Sequence, residues 1–66
     1  MDVEYARQEV ERIRLMAGDY EAAHGAEDAL YCRFVEVIAH DAPYPFNEIA
    51  KEIYKTREID FARHCA

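Results

Sequence analysis

The chain contains no serine and no tryptophan, a single threonine, two glycines, two prolines and two cysteines. Each scarcity removes something. Without serine there is no serine-hydrolase nucleophile. Few glycines and prolines leave little material for turns, and no alternating run of valine, isoleucine and threonine is present to build a sheet. Two cysteines, Cys32 and Cys65, are too few for a disulfide framework. Nor is there a long apolar run. The opening MDVEYARQEV is charged throughout and reads as neither a signal peptide nor a membrane segment. A cytosolic chain with both thiols reduced is expected.

What remains is helix-forming. Alanine, glutamate and arginine are abundant, and that composition favours helix over sheet. Hydrophobic content is 52%, but eleven of those residues are alanines that bury little area each. Sixty-six residues make one small domain, able to bury only about 60% of its unfolded surface. Scaffolds of this size need a disulfide, a metal, unusually good helix packing or a partner chain.

The net charge of −6 is uneven. Residues 1–45 hold four basic and ten acidic side chains, whereas residues 46–66 hold four of each. An acidic first two-thirds argues against phosphate binding there.

Periodicity predicts four helices. Val3, Ala6, Val10, Ile13 and Ala17 recur at spacings of three and four and form a narrow stripe on a helix over residues 3–17. Glu4 with Arg7, Glu9 with Arg12 and Glu11 with Arg14 interleave on its wet side. The stripe suits a seam, either to another helix of the chain or to a second copy in a homodimer. Leu15 lies off it and points to contact on a second side. Gly18 is the expected stop and Asp19 the expected N-cap of a second helix over 20–39. Gly25 is that helix's weak point. Its core face is expected to carry Ala23, Ala26, Leu30, Phe34, Val37 and Ile38.

On the same helix His24, Asp28, Cys32, Glu36 and His40 fall four residues apart. They read like metal ligands. At about 100° per residue a period of four drifts by about 40° per step, so His24 and His40 point about 160° apart and lie about 24 Å apart along the axis. They cannot share one ion, and structural zinc needs four converging ligands. A solvated helix face, with no metal or cofactor, is the expectation.

HDAPYPF, residues 40–46, breaks the helix. Ala42 and Tyr44 precede prolines and should be extended, with Tyr44 and Phe46 folded back as a lid. Asn47 should cap a third helix over 47–55, placing Phe46, Ile49, Ala50 and Ile53 on one face. Thr56 should cap a fourth over 57–65, with Ile59, Ala62 and Ala66 as its stripe. The fold expected is all-α: a helical hairpin closed by two short helices.

No phosphate loop, zinc ribbon or nucleophile elbow occurs. His64 beside Cys65 is not a dyad, because neighbouring side chains on a helix diverge. No enzymatic activity is expected. Residues 47–65 have the outline of a helix–turn–helix that would present Arg57 and Arg63 to nucleic acid. Tyr54 stands where the turn usually has glycine, and Glu58 and Asp60 offset the arginines. Acidic DNA mimicry is a further alternative, though eight basic residues dilute it. The leading expectation is a small acidic protein–protein interaction module without a membrane segment.

Two stretches, AGDYEAAHGAEDALY (residues 17–31) and REIDFARHCA (residues 57–66), resemble segments of short, uncharacterised helical proteins of actinobacteria and their bacteriophages. The terminal pattern comprises Thr56, Ile59, Asp60, Phe61, Ala62 and Arg63, and the similarity spans about residues 14–66. His64 departs from it, since an aromatic is usual there. The resemblance implies a phage-type accessory protein but no activity. It also implies that the last helix crosses the start of the second, bringing together His24, Glu27, Asp28, Asp60 and Arg63 as a polar lock in which Arg63 pairs with Glu27 or Asp28.

Overall fold

A computed structural model describes residues 1–61. All regular structure in them is helical. Helix α1 spans Val3–Leu15, α2 spans Tyr20–Asp41 and α3 spans Phe46–Tyr54; a 3-10 turn, Lys55–Glu58, follows directly. The fold is all-α as expected, a helical hairpin followed by one short helix and a 3-10 turn where two short helices were expected.

Caps explain the starts. Asp2 accepts a hydrogen bond from the Tyr5 N–H at 2.8 Å, and Asp19 accepts one from Ala22 at 3.2 Å. Glu4 and Glu21 sit in the first turns, where the helix dipole favours acids. Helix α1 stops earlier than expected. Met16, Ala17 and Asp19 donate to the carbonyls of Ile13, Arg14 and Met16 in successive tight turns. Gly18 has no positive φ, so these turns, and not a left-handed glycine, end the helix. Gly25 is carried through inside α2.

Ala42 is extended, with φ −78° and ψ 153°, as its position before Pro43 requires. The Tyr44–Pro45 bond is cis. Tyr44 and Phe46 are exposed, so they form no lid. Helix α3 starts at Phe46 after Pro45, one residue before the expected start; Asn47 lies in its first turn and its Oδ1 accepts from the Glu48 N–H at 2.9 Å. The expected fourth helix does not begin at residue 57. Residues 55–58 prolong α3 as a 3-10 turn, and Ile59 is extended with φ −80° and ψ 126°. The tight turn leaves Thr56 inside it, where it cannot act as a helix N-cap. The remainder of the expected helix, to residue 65, lies outside the described residues.

The Cα atoms span 39 × 33 × 10 Å. Packed helix axes stand about 8–10 Å apart and the Cα cylinder is itself about 4.6 Å across, so two layers cannot fit in the thin direction. The molecule is one layer of helices with α2 in the middle. Leu30 and Phe34 of α2 meet Met1 and Ala6 on the α1 side, while Cys32, Glu36 and Ala39, on the opposite flank of α2, meet α3 and the turn after it. Helix α2 therefore has two packing flanks about 180° apart.

This corrects the expected faces. Half-burial on α1 falls at Ala6, Glu9, Ile13 and Met16, while Val3, Val10 and Ala17 are exposed. The helix is rotated from the predicted stripe, exchanging Ala17 for the larger Met16 at the seam. Leu15 is 80% exposed and touches no second element of a core. On α3 the side turned to α2 is Asn47, Ala50 and Tyr54; Phe46, Ile49 and Ile53 are exposed. Ala50, at 5% exposure, is the only buried residue among those described.

Candidate interaction face

A single layer has two broad faces, and in this chain they differ. Helix α2 sets the difference. Tyr31 and Val35 border an open groove of about 450 Å³ toward α1, completed by Met1, Ala6, Leu30 and Phe34. The same two residues also line a groove toward Ile53 of α3. With about 100° per residue, Tyr31, Phe34 and Val35 share one side of α2. On α3, Phe46 and Ile49 lie on the same flank as Ile53. On α1, Val3 and Val10 lie on the flank opposite Tyr5.

Tyr5 marks the other face, because the Arg33 guanidinium sits 6.0 Å from its ring centroid, a cation–π contact worth about 0.5–1 kcal/mol when exposed. That face carries Gly25, Arg33 and Glu36 along α2 and Lys51 and Lys55 on α3, with His40 and Glu58 nearby. The first face is apolar at its centre, with Arg57 beside its groove toward α3 and Arg7, Glu11 and Arg14 beside Val3 and Val10; the second is mainly charged. Tyr31 is 65% exposed and Phe34 54% exposed. Scattered exposed hydrophobics mean little, but a contiguous apolar face on a small chain marks a site of association.

The α2–α3 seam fixes the layer's geometry. The Tyr54 hydroxyl donates to Glu36 Oε1 at 2.7 Å. The Cys32 thiol lies 3.9 Å from the same oxygen, a weak S–H donor beside a carboxylate. Donation to Glu36, with a smaller contribution from Cys32 and from partial burial, pushes the Tyr54 phenol up to about 12. The expected solvated face of α2 is therefore half wrong. Cys32 and Glu36 are where α3 docks. The period-four residues still form no common site: His24 Nε2 lies 3.8 Å from Asp28 Oδ1, and His40 Nδ1 lies 2.8 Å from its neighbour Asp41. Among the described residues no three of His, Cys, Asp and Glu converge closely enough to hold a metal.

Of the expected polar lock, the structure brings His24 and Asp28 together on one helix face. Glu27 and Asp60 are exposed, and Arg63 lies outside the described residues. Arg57 borders a groove with Asp28, Cys32 and Glu36, so it stands beside carboxylates. The predicted ion pairs of α1 form at Glu9–Arg12 and Glu11–Arg14, both 3.0 Å. Glu4 instead lies 3.5 Å from Gln8 Nε2. No helix among the described residues is long and apolar enough to cross a membrane. No family profile, curated protein or solved structure matches the chain.

Sequence reasoning missed the apolar face because it sought one stripe per helix. A signal was present. Tyr31 and Val35 repeat at an interval of four on the side of α2 away from Leu30 and Val37, apolar residues outside the single stripe that a helix with one neighbour needs.

Proposed function

We propose that the chain is a non-catalytic protein–protein interaction module of the cytosol that works through the apolar face of its helical layer. The exposure of Tyr31, Phe34 and Ile53 carries this reading. Aromatic residues are enriched where protein interfaces form, and depletion of charge at the centre of a patch is their compositional mark. The acidic balance of residues 1–45 and the placement of Arg57 beside Asp28 and Glu36 favour a protein over nucleic acid as the occupant. The resemblance to short helical proteins of actinobacteria and their phages fits an accessory role.

The test is site-specific photocrosslinking in the cells that make the chain. Benzoylphenylalanine at position 31 reports on the apolar face, and at position 5 on the polar one. Adducts to polypeptide from position 31 and few from position 5 are expected. Absence of adducts from position 31, or an equal yield from both positions, would sink the reading.

A further inference from the structure

Resting on that reading, we infer that the occupant of the apolar face is a second copy of this chain, stacked face to face about a two-fold axis. Area is the first argument. A compact monomer of 7.7 kDa exposes about 4,300 Å² by the size scaling of folded proteins. This chain exposes 5404 Å². The excess, about 1,100 Å², exceeds the roughly 800 Å² that one partner contributes to a standard stable interface. The whole chain thus leaves uncovered more surface than one partner of a stable dimer hides.

Topology is the second. Helix α2 is the middle of three, so a two-fold axis lying in the plane of the face through its centre sets α2 on its own symmetry mate. Isologous contact of this kind requires a self-complementary patch. Tyr31, Phe34 and Val35 supply an apolar centre, flanked by Val10 on α1 and by Ile49 and Ile53 on α3. Charge is the third. Each copy carries −6, yet Glu36 of α2 lines a groove with Lys51 and Lys55 on the opposite face. Stacking brings apolar centres together and keeps that carboxylate outside. Arg57 borders the groove of Tyr31, Val35 and Ile53, and Arg7, Glu11 and Arg14 border that of Val3 and Val10, so charge flanks the apolar centre of Tyr31, Phe34 and Val35. The homodimer seam expected along Val3–Ala17 is thereby moved: α1 contributes its Val3–Val10 flank, and the centre belongs to α2.

Sedimentation equilibrium on the full chain, over a hundredfold range of micromolar concentrations, tests this. A reversible species of twice the chain mass is expected. Raising salt should strengthen it, because screening relieves repulsion between two acidic copies. Phe34→Glu should shift the equilibrium to monomer by at least tenfold. Leu15→Glu, on an exposed edge away from the face, should leave it unchanged. Since Phe34→Glu can also unfold the chain, Tyr31→Cys in a Cys32→Ser, Cys65→Ser background provides a second probe, and mild oxidation should link two copies through position 31. A monomer throughout the range overturns the proposal, as does a dimer that survives Phe34→Glu or is broken by Leu15→Glu. If the chain is monomeric yet crosslinks another polypeptide from position 31, the self-partner fails and the interaction module stands. If it is monomeric and crosslinks nothing, both fail.

Discussion

Against α3, the central helix closes around Ala50 and the Tyr54–Glu36 hydrogen bond. On the α1 side Ala6, Ile13 and Met16 are only half-buried, and Arg33 of α2 lies over the Tyr5 ring. The first seam combines tight packing of a small residue with a polar bond of defined direction, so it sets how α3 lies on α2. The second is apolar, partly open and bounded by a groove. A seam of that kind holds a helix near its neighbour without fixing its rotation. The α2–α3 pair should therefore behave as the rigid part of the layer, and α1 as the part that gains most from being covered.

Substitutions can break this contrast, and the largest effect belongs at Ala50. Ala50→Leu has no space at the α2–α3 seam and should cost about 1–3 kcal/mol by forcing the helices apart; denaturant unfolding measures it. A cost below about half of that would mean the seam is open. Ile13→Ala on α1 should cost about 1 kcal/mol, below the 2–5 kcal/mol of a fully buried site, because part of Ile13 already faces water. A full-core loss at Ile13 would reverse the ranking of the seams.

Gly25 sharpens the contrast between the faces. A Cβ placed there meets nothing within 4 Å, so Gly25→Ala should stabilise α2 by about 0.5–1 kcal/mol through lost chain entropy. Destabilisation, or loss of assembly, would show that the polar face is the one covered. The smallest effect is electrostatic. Tyr54 holds its proton up to about 12 in the folded chain, against about 10 for an ordinary tyrosine. Because the folded value is raised, the stabilisation is fully present below pH 10 and is lost as pH rises through about 12. Phenolate absorbance should show one late-titrating tyrosine, and Tyr54→Phe should remove it. A late tyrosine that persists in Tyr54→Phe would place the bond elsewhere.

The helices were legible where local chemistry decides them. Asp19 as an N-cap, the acids in the first turns and the break at the two prolines all follow from nearest neighbours in sequence, and the structure has them. Rotation about the helix axis was less legible. Val3 and Val10 share the predicted stripe with Ala6 and Ile13, yet the seam turns toward Met16. The packing of one helix depends on its neighbour, and periodicity alone does not contain the neighbour. The same limit hid the candidate face. Reading Cys32 and Glu36 as wet assumed that α2 has one dry side, as a helix at the edge of a bundle does. As the middle of a layer, α2 has two packing flanks and a third, apolar side that none of the described residues covers. The fourth helix does not start where expected for a local reason, since Thr56 falls within the 3-10 turn that ends α3.

The central claim is that one layer of helices is completed by assembly. Thermal unfolding followed by helix circular dichroism, across a hundredfold dilution, tests it most directly. If the folded chain is stabilised by association, the midpoint falls with each dilution by mass action. A midpoint that does not move with concentration, in a protein shown to unfold reversibly, would contradict the account and mean that the single layer is stable alone.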